Sequence, residues 1–183
     1  MFVLAAGYAT RLSPLTVNRP KALLEAGNRP ILTRILKNLS TLGACNGLYV
    51  ITNGRFYKAV DIWRKKVHFA CNVIIVNDET LSNEDRLGAI NDLYLVLKQA
   101  KVDDDMLVVA GDNLFEFDIR DFHAFAKQKY PYVCVALFDV KSKLLARQYG
   151  TAVIDSRNKI LEFQEKAKEP KSTLASTAVY FFP

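Results

Sequence analysis

The chain has 183 residues, with 25 Lys and Arg against 19 Asp and Glu, and so carries a formal net charge of +6 with both histidines neutral. Half of it is hydrophobic and 24% is charged, with mean hydropathy near zero. That composition supplies a core for one domain and excludes a disordered tail or a collagen-like repeat. The most apolar runs, Met106 to Ala110 and Tyr132 to Phe138, fall far short of the roughly 18 residues of a membrane span. Met1 to Val3 lead straight into an Ala-Gly loop with no basic n-region, so a cytoplasmic protein without a membrane partner is expected.

In chain order, β-rich runs alternate with helical patterns, which is the signal of a parallel sheet with crossover helices. The expected strands are Phe2 to Ala5, Gly47 to Ile51, Asn72 to Val76, Met106 to Ala110 and Tyr132 to Phe138. Pro30 to Leu42 places Ile31, Ile35, Leu39 and Leu42 on one helical face, and Phe56 to Val67 is a second, weaker helix. Ser82 to Asp85 resembles a capping box, which predicts a helix burying Leu87, Ile90, Tyr94 and Leu97. Asp118 caps another helix, with Ile119, Phe122 and Phe125 inward. After about Gly150 the pattern becomes short antiparallel strands, Thr151 to Ile154, Ile160 to Glu165 and Ala175 to Phe182. The last of these ends at the terminus with nothing after it to cover it, which suggests a truncated molecule.

Cys45, Cys71 and Cys134 are odd in number and widely spaced, so they read as small core residues and not as a disulfide or zinc framework. His68 and His123 lie far apart without acidic partners. No basic stripe is interleaved with aromatics, so nucleic acid is not an expected partner.

From Met1 to Leu24 there is no acidic residue, whereas Arg11, Arg19 and Lys21 all lie in one long loop beginning at Gly7. A loop of charge +3 that follows a strand, bends at glycine and holds Thr10, Ser13 and Thr16 is suited to phosphate oxygens, a triphosphate above all. From composition alone, an exposed basic loop without function accounts for the same residues.

Leu4-Ala-Ala-Gly-Tyr-Ala-Thr-Arg-Leu-Ser-Pro-Leu-Thr16, followed by Pro20 and Lys21, resembles the signature loop of the sugar-1-phosphate nucleotidylyltransferase family, L-A-A-G-x-G-T-R-L-x-P-L-T then P-K. Ala9 stands where that pattern has its second glycine, a methyl that is tolerated if the backbone φ there is negative. Val108 to Asn113 is similar to the family's G-D-N strand end, and Glu165 with Lys166 to its E-K-P element, Ala167 replacing the proline. The family's small-residue base-binding element is altered, with Asp85, Arg86 and Leu87 ahead of Gly88 and Ala89.

The resemblance implies an α/β three-layer sandwich with a mostly parallel central sheet, Rossmann-like, and a short antiparallel tail. It implies one nucleotidyltransferase-like domain over residues 1–183, lacking the C-terminal part that carries a second metal-binding aspartate. The implied activity is Mg2+-dependent transfer of a nucleotidyl group from a nucleoside triphosphate to a sugar-1-phosphate or similar phosphate monoester, with release of pyrophosphate. Arg11, Lys21, Asp112 and Lys166 are the implied catalytic residues, and Asp112 is the implied metal ligand, a role that also suits a carboxylate at a strand's carboxyl end. Leu4, Ala6, Gly7, Thr10, Gly88, Asn113, Gly150 and Glu165 are the implied substrate contacts. The alternative function is a catalytically incomplete, regulatory nucleotide- or sugar-phosphate-binding module. A glycosyltransferase would show D-x-D where this chain has Asp112-Asn-Leu114. A homo-oligomer is left open.

Overall fold

Phe2 and Val3 are both buried although successive strand residues face opposite ways, so the sheet they begin must be covered on two sides. The computed structural model, which describes residues 1–43 and 45–183, has this arrangement. β1 (Phe2–Leu4) lies between β2 (Leu48–Thr52) and β4 (Met106–Ala110), parallel to both, and β3 (Val73–Asn77) continues the parallel set beyond β2. On one face Val3, Val50 and Val109 pack with Leu32, Ile35, Leu36 and Leu39 of α1 (Ile31–Leu39) and with Val60 and Trp63 of α2 (Gly54–Lys66). On the other face Phe2, Ile51, Val76 and Val108 pack against Val96 of α3 (Ala89–Ala100). Three layers follow directly from this alternation of buried residues.

The remaining elements are α4 (Ile119–Gln128), β5 (Cys134–Asp139), the single turn α5 (Lys143–Ala146), β6 (Gly150–Ile154), β7 (Ile160–Glu165) and β8 (Leu174–Phe182). The sheet has eight strands in the order β3-β2-β1-β4-β8-β6-β7, with β5 on β8. β8 is antiparallel to β4, β5 and β6, so all strands run one way except β7 and β8. The mostly parallel sheet and its antiparallel tail are thus as expected, but the terminal strand is not an uncovered edge. Val179 pairs with Val109 while Phe181 lies opposite Leu107 and Cys134, so the last strand is interior.

Several boundaries move. β2, β3 and β5 begin later than the sequence pattern suggests, and the first helix ends at Leu39 and continues as a 3-10 turn, Ser40–Leu42. The third crossover helix is the larger correction. It begins at Ala89, and Ile90 and Tyr94 are 80% and 63% exposed, with Leu87 also outside the core. The buried stripe is Asp92 and Val96, flanked by Leu93 and Leu97. Apolar residues occupy so many positions between Ile90 and Leu97 that periodicity alone admits two faces, and packing on β1 and β2 selects one. In α4, Asp118 caps as expected by accepting from the Arg120 N–H, yet Ala126 is buried and Phe125 is exposed. Burial pushes the Cys134 thiol up, and burial beside Cys71 pushes that of Cys45 up to about 11, in keeping with unreactive packing residues.

Asn53 ties the core to the loop after β1. Fully buried, it accepts from the Phe56 N–H at 2.9 Å to cap α2, and its Nδ2 donates to the Ala6 carbonyl at 2.8 Å. Asn53→Ala removes the cap and strands a buried carbonyl. It is expected to lower the unfolding free energy by about 2–4 kcal/mol in urea titration, and a loss under about 0.5 kcal/mol would refute this role.

Candidate functional site

Strand order places the site. From β1 the chain crosses over α1 to β2 and then over α2 to β3, whereas α3 returns it across the opposite face to β4, on the far side of β1. The carboxyl ends of β1 and β4 therefore bound the crevice where crossovers diverge, the usual place for ligands in open α/β sheets. A cavity of about 430 Å³ opens there, lined by the loops after both strands, including Thr10, Arg11, Lys21 and Asp112.

Gly111 makes the approach possible. Its N–H donates to the Leu4 carbonyl at 2.7 Å, and a Cβ at this position would lie 2.8 Å from the Ala5 Cβ and 2.9 Å from the Leu4 oxygen. Any side chain would wedge the strand ends apart.

The loop after β1 is long but pinned. Thr10–Leu12 and Lys21–Leu23 form 3-10 turns, and Ala22 and Leu23 of the second are buried. The Thr16 hydroxyl donates to the Ala9 carbonyl at 2.9 Å, and Arg55 of α2 donates to the Val17 carbonyl at 2.7 Å. Arg34 of α1 donates to the carbonyls of Ala26 and Gly27. Ala9 has φ +49, in the left-handed region. The negative angle under which the methyl would be tolerated is therefore not the one adopted, and this alanine carries the strain that glycine would not.

Lys21 Nζ lies 2.8 Å from Asp112 Oδ2, a pair 91 residues apart in sequence that joins the two loops at the cavity. Both side chains remain substantially open to solvent, so the pair holds an ammonium and a carboxylate available for exchange with a charged ligand. Among the described residues, no group of three or more His, Cys, Asp and Glu is placed to hold a metal. A hard cation that keeps its waters and phosphate ligands nevertheless requires only one or two carboxylates, which Asp112 can supply.

Of the expected site residues, Leu4, Gly7, Thr10, Arg11, Lys21 and Asp112 line this one cavity, together with Ala5, Ala9, Leu12, Ala22 and Gly111. Ala6 is buried just behind it, its carbonyl taken by Asn53. Asn113 turns its amide onto the Thr177 carbonyl of β8 and so braces strands. Gly88 stands at the head of α3 with φ +83, a conformation that suits glycine.

Gly150, Glu165 and Lys166 form a second cluster. Gly150 pairs with Glu165 across β6 and β7, and a Cβ on Gly150 would lie 2.7 Å from both Glu165 Oε2 and the Phe163 ring. Lys166, at φ +45, folds its Nζ to 2.9 Å from Glu165 Oε1. The two clusters are linked along β8, where Thr177 receives Asn113 and Ala175 pairs with Thr151, two residues or about 7 Å apart. Ala178, at φ +52, marks the irregularity between the stretch of β8 that pairs with β4 and the stretch that pairs with β6.

Asp85 does not begin a helix. Its carboxylate accepts from the N–H groups of Leu81 and Ser82, which hold it below the usual carboxylate range, and so closes the β3–α3 loop. Sequence reasoning missed the buried Asp78, Thr80 and Asp92 behind the site. The available signal was the four-residue step from Asp92 to Val96.

Comparison with known proteins gives a consistent picture. The profile of the family described as Nucleotidyl transferase matches residues 1–183. The chain is 32% identical to the bifunctional protein GlmU of Methanocaldococcus jannaschii over 98% of its own length and 39% of that protein's. It is 31% identical to the UTP–glucose-1-phosphate uridylyltransferase AglF of Haloferax volcanii over 98% of this chain and 70% of that one. A crystal structure of a candidate glucose-1-phosphate thymidylyltransferase from Bacillus anthracis, in complex with sucrose, superposes with a TM-score of 0.85 at 27% identity, covering 99% of this chain and 70% of that chain. Against several curated relatives the chain spans less than half of their length. No helix among the described residues is long and apolar enough to cross a membrane.

The strain at Ala9 is measurable. Left-handed backbone costs an L-residue about 1–2 kcal/mol, and the added unfolded-state freedom of glycine returns about 0.4–1 kcal/mol of that. Ala9→Gly is therefore expected to stabilise the chain by about 0.5–1 kcal/mol in chemical denaturation, and a lowered midpoint would contradict the assigned conformation.

Proposed function

The chain belongs to the nucleotidyl transferase family, and on that premise we propose that it transfers a nucleotidyl group from a nucleoside triphosphate to a sugar-1-phosphate or similar phosphate monoester, releasing pyrophosphate. The observation that carries this reading is the Lys21–Asp112 pair, 2.8 Å apart at a cavity between β1 and β4. A cation and a carboxylate brought together beside a basic loop suit a polyanion that arrives with a counter-ion.

In this reaction a phosphate monoester oxygen attacks the α-phosphorus in line with the departing pyrophosphate. The nucleophile needs no dedicated base, because its second pKa is about 6 and it is largely dianionic at neutral pH. Positioning and charge neutralisation therefore dominate. In this reading Arg11 meets the triphosphate and the leaving pyrophosphate, and Lys21 leaves Asp112 for the α-phosphate. Thr10 and the backbone at Gly7 hold phosphate oxygens, while Leu4, Ala6 and Gly88 face the base. Asn113 keeps the strand end in place. Gly150 and Glu165 receive the sugar, and Lys166 its phosphate.

Magnesium fits the donor set: Asp112 is a hard carboxylate at the cavity, and phosphate oxygens and water complete such a coordination shell. When bound, the ion would neutralise phosphate charge.

The test is pyrophosphate release from paired nucleoside triphosphates and sugar-1-phosphates with Mg2+. Asp112→Asn is expected to lower turnover by about 100-fold or more while leaving the circular dichroism spectrum unchanged. Retained turnover removes Asp112 from the site. Nucleotide binding without pyrophosphate release in the parent chain would select the alternative of a binding module.

A further inference from the structure

Tyr8 belongs to the loop that the proposed chemistry uses, yet it faces away from the cavity. Gly7, Ala9, Thr10 and Arg11 line that cavity, whereas Tyr8 between them is only 6% exposed and turns into the protein. Its ring centroid lies 6.4 Å from that of Phe56 in α2. Its hydroxyl lies 2.9 Å from the Thr80 hydroxyl, a buried contact between residues 72 apart in sequence.

Thr80, in the β3–α3 loop, is a junction whose polar groups are all engaged. Its N–H and its hydroxyl both donate to Asp78 Oδ1 at 2.8 Å, and its carbonyl accepts from the Arg55 N–H of α2 at 3.3 Å. A hydroxyl has one proton, and Thr80 gives its own to Asp78, so Tyr8 is the donor in the remaining bond. Asp78 in turn donates its N–H to the Thr52 carbonyl at the end of β2, at 2.9 Å. Tyr8 is thereby fastened to the end of β2 and the start of α2.

The residue after Tyr8 is the strained one. Ala9 holds φ +49, and such an angle persists only where its surroundings over-determine it. The Thr16 hydroxyl bonds the Ala9 carbonyl from within the same loop, so that bond moves with the loop. The Tyr8 hydroxyl instead ties the residue next to the strain to other elements of the fold.

We propose that Tyr8 is a positioning residue for the nucleotide: its hydroxyl, donated to Thr80, tethers the loop after β1 to the β3–α3 loop and, against the strain at Ala9, holds Gly7, Thr10 and Arg11 where a triphosphate meets them. Tyr8 itself touches no substrate. Its part in nucleotide binding rests on the function proposed above, whereas the tether does not.

Tyr8→Phe keeps the ring and removes the donor. Thr80→Val removes the acceptor and keeps the N–H that Asp78 accepts, while Thr80→Ser keeps the hydroxyl. In the nucleotide-free chain, amide exchange of Gly7 to Leu12 is expected to quicken about 3- to 10-fold in Tyr8→Phe, as loss of one buried hydrogen bond implies, and at least as much in Thr80→Val. The double variant is expected to exchange no faster than the faster single one, because both changes remove the same bond, and Thr80→Ser is expected to stay close to the parent. With paired substrates and Mg2+, Tyr8→Phe is expected to raise KM for the triphosphate about threefold or more, leaving kcat and KM for the sugar phosphate unchanged. A purely structural role would lower the active fraction, and with it kcat, and would move neither KM. Unchanged exchange in Tyr8→Phe, or effects that multiply in the double variant, overturns the tether. Quickened exchange with an unchanged triphosphate KM overturns the part in nucleotide binding. The exchange measurements need no turnover, so they decide the tether even where the proposed function fails.

Discussion

The close approach of two backbones, at Gly111 and Leu4, is the contact on which the rest of the molecule depends. β1 contributes only three residues, and its last carbonyl accepts from the Gly111 N–H. With the Ala5 N–H donating to the Ile51 carbonyl on the other side, the end of β1 is held between its neighbours. The loops that leave β1 and β4 must then emerge side by side. One carries three cations and the other a carboxylate, so adjacency of strand ends becomes adjacency of charges.

Around that contact the chain divides its labour between rigid and open parts. The interior is apolar on both sheet faces, and among its buried polar side chains Asn53, Thr80 and Asp78 tie the loop after β1 to the core. The charged groups Arg11, Lys21 and Asp112 are open to solvent at the cavity, where reorganising around a charged ligand costs little. The second cluster, at Gly150 and Glu165, is carried on a hairpin that reaches the first only through β8. A bulged strand serving β4 at one end and β6 at the other sets the spacing between the two clusters.

The four parallel strands and the basic loop were legible in the sequence because the residues that define them are contiguous: apolar runs of strand length, and cations gathered within one stretch free of acids. The capping-box pattern at Ser82–Asp85 misled, because the same side chain that caps a helix also closes a loop, and only the hydrogen bonds to Leu81 and Ser82 distinguish the two. The burial of Asp92 was illegible for a different reason. An aspartate on a helix reads as solvent-facing, and only the packing of α3 against the sheet turns Asp92 inward with Val96. Strand pairing is likewise nonlocal, so the interior position of β8 between β4 and β5 could not be read from a terminal apolar run. The left-handed angle at Ala9 was hidden by residue type, since alanine seldom adopts it.

The proposed reaction requires a triphosphate to lie across the ends of β1 and β4. Backbone amide NMR of the 15N-labelled chain, titrated with each nucleoside triphosphate in the presence of Mg2+, tests it most directly. The predicted result is saturable shifts concentrated on the amides of Gly7 to Leu12, Lys21 and Gly111 to Asn113 for at least one nucleotide. Shifts confined to β6 and β7, or none with any nucleotide, would contradict it.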